Sequence, residues 1–242
     1  MKKLLLVSVL FISMVSNAQK KAEKSVNEYV DFATAFGSSE NTIATSYVHN
    51  WKLGKKKKFE IGWGVRFTNY FAANKEFITA PAKLTKTSTA PFAILFADQI
   101  PANIDTLTVQ KAQTNSLNLS INLAYNLSSK FSIGFNIDAI GVTFGRNSSS
   151  ILQTNGVLKT ESSTKPYAFN LLLTGENDLG TLNSEFFIKY QLNNKWALRG
   201  VLQHFFVEYQ TTTQKQIVPN GTMNDRFRNI SDMVGIGVSY TF

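Results

Sequence analysis

From Phe59 to Tyr70 the chain alternates bulky residues with small or polar ones: Phe59, Ile61, Trp63, Val65 and Phe67 against Glu60, Gly62, Gly64, Arg66 and Thr68. Residues two apart share one face of a strand, so this spacing predicts a strand with one apolar and one polar face. Met233 to Phe242 repeats the pattern, setting Val234, Ile236, Val238, Tyr240 and Phe242 against Gly235, Gly237, Ser239 and Thr241. Six further segments carry the same period: Tyr29 to Gly37, Thr42 to Leu53, Ser116 to Leu127, a segment beginning at Phe131, Leu182 to Leu192, and Trp196 to Tyr209. In the segment from Phe131 the bulky positions change parity after Ala139, which predicts a β-bulge or a strand rising out of its apolar surroundings.

The connections between these eight segments fall into two classes. Those after the second, fourth and sixth segments, GKKKK (54–58), SSK (128–130) and NNK (193–195), are short, whereas those after the third, fifth and seventh, near 72–115, 145–181 and 210–228, are long; GSSEN (37–41), after the first, is a short turn at the long-loop end. Short turns at one end and long loops at the other match a membrane barrel with periplasmic turns and extracellular loops. The expectation is therefore all-β: an eight-stranded antiparallel up-and-down transmembrane β-barrel whose apolar rows face lipid. Pairing of the last segment with Tyr29 to Gly37 removes the final open edge. A soluble sandwich or lipocalin-like barrel has the same alternation with its apolar rows turned inward. The aromatic C-terminus, the loop asymmetry and the N-terminal segment favour the membrane form.

That N-terminal segment has Lys2 and Lys3 before an apolar run from Leu4 to Val15, then Ser16, Asn17 and Ala18. This is the layout of a secretory signal peptide cleaved after Ala18, and the run is shorter than the ~20 residues a spanning helix needs. The expected organisation is a signal peptide at 1–18 and one barrel at 19–242. Loss of the two lysines takes the formal charge from +9 to +7. Cysteine is absent, which excludes disulfides, thiolate metal sites and a thiol nucleophile. The 242 residues, 43% of them hydrophobic and 17% charged, suffice for one sizeable domain.

The ending MVGIGVSYTF resembles the C-terminal signal of bacterial outer-membrane barrels, with Tyr240 and Phe242 as the residues their assembly machinery reads. The mature chain resembles small outer-membrane barrels of OmpA/OmpX type. FSIGFNIDAIGVTFG, LGTLNSEFFIKYQLNNKWALRG and the SYTF ending are similar to the outer-membrane barrel proteins common in Bacteroidetes. The resemblance implies a fold and a location in a Gram-negative outer membrane but no activity.

Candidate chemistry falls in three places. Inward positions include Glu60, Asp138 and Glu185 against Arg66, Lys189 and Arg199, a polar plug or, alternatively, a narrow small-solute channel. Register across the NNK turn sets Lys189 beside Arg199, with Glu60 as the expected acid between them. The same register sets Ser184 beside His204 on the outward face, with Glu208 further along. This is raw material for acyl transfer by a lipid A or phospholipid-modifying enzyme. The chain departs from the lipid A deacylase motif, because its serine does not follow the histidine by two residues. Finally, Phe92, Ile94, Leu95 and Phe96 form an apolar run in a loop, either a lid over the barrel mouth or a partner patch. Lys159, Lys165, Lys215, Arg226 and Arg228 make the loops basic enough to meet lipopolysaccharide phosphates. Asp105, Thr106 and Leu107 resemble a short O-glycosylation motif. With two histidines and no phosphate-binding glycine loop, neither a metal nor a cofactor is expected, and nucleic acid is no partner for this compartment. The expected state is a monomer in outer-membrane lipid.

Overall fold

The computed structural model describes residues 25–154 and 156–242, so the expected signal segment lies outside the described residues. Its strands are β1 (Val26–Phe36), β2 (Glu40–Leu53), β3 (Phe59–Thr79), β4 (Thr106–Asn126), β5 (Phe131–Gly145), β6 (Ser148–Thr154), β7 (Val157–Pro166), β8 (Phe169–Leu171), β9 (Thr181–Gln191), β10 (Trp196–Thr211), β11 (Gln216–Ile217), β12 (Met223–Asn224) and β13 (Arg226–Thr241). No described helix is long and apolar enough to cross a membrane. The eight strands expected from alternation thus become thirteen. The additional ones, β6, β7, β8, β11 and β12, come from stretches read as long loops.

Antiparallel pairing runs from β1 through β2, β3, β4, β5, β9 and β10 to β13, which pairs back onto β1 and closes the ring. The closing ladder sets Tyr29 opposite Thr241 and Phe36 opposite Val234. Closure leaves no free edge to template aggregation. The parity change in β5 is a bulge: Leu119 pairs with Ile140 and Ser120 with Asp138, leaving Ala139 as the extra residue.

Above this ring, at the end away from the short turns, the wall changes membership. β3 and β4 continue past the expected boundaries at Tyr70 and Ser116. The β6–β7 hairpin fills the gap between β4 and β10. Phe227 pairs with Thr79 and Arg228 with Ile78, joining β13 to β3. A second ring of β3, β4, β6, β7, β10 and β13 results, narrower because it has fewer strands.

The two levels have opposite interiors. Within the first ring, Asp31, Arg66, Asn118, Asp138, Glu185 and Arg199 are buried inside, while Trp63, Leu119, Ile236 and their row-mates are exposed outside. Within the second, Tyr70, Phe77, Leu107, Leu152, Phe205, Tyr209 and Phe227 form an apolar core. Phe77 meets Tyr209 edge-on at 5.1 Å, and Tyr70 stacks on Phe205 at the same distance. The switch in β3 occurs at Asn74, which has φ +49° and is skipped in the ladder between Ala73 and Lys75. Beyond it, Phe77 and Thr79 are buried where even-numbered residues had been. Asparagine tolerates this left-handed backbone better than most residues.

Candidate functional site

Strand parity turns four acids and three bases into the lower ring. Arg199 bonds Asp31 at 2.7 Å and Glu185 at 3.1 Å, and Lys189 lies 3.4 Å from Asp31. Arg66 lies 3.5 Å from Asp138 and 3.7 Å from Glu185. The expected neighbours Lys189 and Arg199 are directly opposite each other. The acid between them is Asp31, however, and not Glu60. Glu60 instead accepts hydrogen bonds from Asn27 and Asn126, both at 2.9 Å, and from Asn50 at 3.4 Å. Asp31 carried a legible signal, since it sits between outward Val30 and Phe32 and so must point inward.

Phe187 shares this interior. Its side chain is 2% exposed, with the Arg199 guanidinium 4.4 Å from the ring centre. Gly134 on the facing strand makes room for it, because a Cβ there would come within 2.2 Å of the ring. The aromatic ring and the ion pairs thus share the lumen at this level. Toward the short turns the lumen opens into a polar cup of about 330 Å³, lined by Asn27, Lys52, Glu60, Asn126 and Lys189 among others.

On the outside, Ser184 and His204 are cross-strand partners as expected. Glu208 does not join them. It is buried beneath the 167–180 connection, accepting Arg226 at 2.8 and 2.9 Å and the Gly180 N–H at 2.8 Å. The acid beside His204 is Asp232 on β13, its carboxylate 2.7 Å from His204 Nδ1. Sequence reasoning missed Asp232 because the β13 pattern was begun one residue later, at Met233.

In the 86–103 connection, Ile94 is buried while Phe92, Leu95 and Phe96 are exposed by 74, 59 and 89%. The run therefore does not lie over the barrel mouth with its side chains covered. Among the five basic residues expected to face phosphates, Arg226 is held by Glu208, and Arg228 is buried against Glu176 and the Thr79 and Ala80 carbonyls. Lys215 lies 3.9 Å from Asp225. Thr106 of the glycosylation-like triplet is a ladder residue, paired on both sides with Ile78 and Gln153. At the short-turn end Tyr240 packs edge-on against Trp196 at 4.9 Å and against Phe242 at 5.6 Å. Among the described residues no group of three or more His, Asp or Glu side chains could hold a metal ion.

No protein-family model matches the chain, and no curated protein matches it. It is similar to three solved structures, two of them outer-membrane proteins by description. A major outer membrane protein from Thermus thermophilus shares 12% identity at TM-score 0.39, covering 89% of this chain and 99% of that one. Outer membrane protein AlkL in lipid bilayers shares 11% identity at TM-score 0.36, covering 94% and 95%. Ail, the attachment invasion locus protein of Yersinia pestis, in complex with the heparin analogue sucrose octasulfate, shares 6% identity at TM-score 0.35, covering 90% and 97%.

Proposed function

We propose that this chain is an integral outer-membrane protein whose eight-strand ring crosses the bilayer, with short turns in the periplasm and the narrower ring outside the cell. One observation carries the reading: Val234 and Ile236 are 65 and 69% exposed on the wall, while Arg66 inside it is 1% exposed. In water this arrangement leaves a belt of apolar surface unburied; in lipid the exposed apolar rows meet hydrocarbon, and the closed sheet pairs backbone groups between neighbouring strands. The aromatic cluster of Trp196, Tyr240 and Phe242 suits the periplasmic interface, and it is where the barrel assembly machinery would engage Tyr240 and Phe242.

The same reading makes the protein a non-conducting, monomeric scaffold that acts through its outer surface. Ion pairs and Phe187 occupy the lower ring's interior, and an apolar cluster occupies the upper one's. The outer surface offers the exposed Phe92, Leu95 and Phe96 to a partner, and Lys159, Lys165 and Lys215 to lipopolysaccharide phosphates. A small-solute channel is disfavoured by the apolar cluster of Tyr70, Phe77, Leu107, Phe205 and Phe227 inside the second ring.

The test is expression in a Gram-negative host followed by membrane fractionation and gel electrophoresis with and without heating. The protein should co-fractionate with the outer membrane and migrate faster unheated than heated. Recovery as a soluble species would overturn the assignment.

A further inference from the structure

We propose that Ser184, His204 and Asp232 form a hydrolytic site for fatty acyl esters on the lipid-facing wall, a reading that rests on the membrane placement above. The three residues lie in one row across three adjacent strands: Ser184 on β9 is the cross-strand partner of His204 on β10, and His204 is the partner of Asp232 on β13. Directly opposed residues have Cβ atoms about 4.5–5.5 Å apart. The histidine is thus the middle member, with the acid on one side and the hydroxyl on the other. This is the order that nucleophilic catalysis requires, and it is recognised by geometry and role, not by sequence order.

Asp232 holds Nδ1 of His204 at 2.7 Å, which fixes the ring tautomer and leaves Nε2 as the nitrogen able to take a proton. Among the described residues no hydrogen bond joins Ser184 to His204. Such contacts commonly tighten only when substrate is bound.

The surroundings select the substrate. The three residues line one groove of about 420 Å³, together with Phe135, Phe186, Leu202 and Val234. The apolar members face outward on the wall and suit acyl chains. His204 stands eight residues up β10 from Trp196, which for a strand tilted by ~40° is roughly 20 Å, near the outer edge of a ~25 Å apolar band. The ester linkages of membrane lipids lie at this depth, between hydrocarbon and headgroup, where water is available.

In the reaction, Ser184 Oγ attacks the ester carbonyl carbon as its proton passes to His204 Nε2. Collapse of the tetrahedral intermediate breaks the bond to the alcohol oxygen, which leaves with that proton. Water then attacks the acyl-serine, with His204 again taking and returning a proton, so that one ester and one water give one fatty acid and one alcohol.

The experiment uses the full mature chain refolded into vesicles of phosphatidylethanolamine and phosphatidylglycerol, with and without lipopolysaccharide. Released fatty acid is measured by mass spectrometry, and Ser184 is probed in parallel with a fluorophosphonate. Wild-type protein should release fatty acid in at least one of the two arms, and the arm that responds names the lipid. Ser184→Ala should abolish release and labelling, and His204→Ala should reduce both by on the order of 100-fold or more. Asp232→Asn should reduce release, while His49→Ala, at the opposite end of the wall, should not. Heat-modifiable migration of each variant separates loss of the site from loss of the barrel. Release no greater than that of Ser184→Ala in both arms, or an unlabelled Ser184 in heat-modifiable protein, would overturn the proposal and leave the membrane assignment standing.

Discussion

Asp31 decides how the lower lumen is held together, because it is the acid shared by Arg199 and Lys189. Removing one partner from a buried ion pair leaves an uncompensated charge, costing about 3–5 kcal/mol. Asp31→Asn should therefore lower stability by that amount in urea titrations of vesicle-embedded protein. Glu60→Gln should cost under about 1.5 kcal/mol, since Glu60 accepts from neutral asparagines and an amide oxygen can replace part of that acceptance. Equal losses for the two variants would show that Glu60 carries the compensation after all. Parity made Asp31 readable as an inward residue. The choice between Asp31 and Glu60 was not readable, because period two assigns a face and says nothing about which strands lie across the lumen.

Among the elements, the β6–β7 hairpin was hidden from a reading by alternation. Ser148 to Thr154 and Val157 to Pro166 lie above the apolar belt, where the outer face needs no hydrophobic row, so the membrane pattern has no reason to persist. Glu161 of β7 anchors this hairpin to the 212–214 turn. It is buried and accepts hydrogen bonds from the backbone N–H groups of Ser163, Thr213 and Gln214 at 3.0, 2.9 and 2.7 Å, and from the Thr213 hydroxyl at 3.0 Å. Burial pushes its carboxyl up, but the donors outweigh burial and bring it from the usual 4.5 down to about 2. A lowered folded-state value stabilises above the unfolded value and loses that contribution as pH falls toward about 2. Amide exchange at 212–214 should accordingly accelerate, beyond the intrinsic pH dependence, between pH 4.5 and 2. Glu161→Gln should show the faster exchange already at pH 7. Protection that stays constant through this window would mean the anchor does not hold the turn.

At the scale of the whole molecule, two stacked rings divide the work. The lower carries apolar side chains outside and charges inside; the upper has an apolar core, lined in part by Phe205, Tyr209 and Phe227. If the upper core is the seal, Phe187→Ala should remain without discrete conductance in planar bilayers, although it empties part of the lower lumen. Conductance steps in that variant would show that Phe187 alone closed the path. By itself, the sequence determined the alternating strands of the lower ring, the short turns, the change of parity after Ala139, the register that pairs Lys189 with Arg199 and Ser184 with His204, and, within the lower ring, the two faces of each strand. All of these are local: period two and short turns dictate them wherever one face must be apolar. Only the tertiary structure decided that β13 leaves β1 to meet β3, that β6 and β7 complete a second ring, that Asp31 neutralises the lumen bases, and that Asp232 takes the place beside His204 expected of Glu208. Those outcomes depend on which strands become neighbours across a closed sheet, and closure is a property of the whole chain that no single segment encodes.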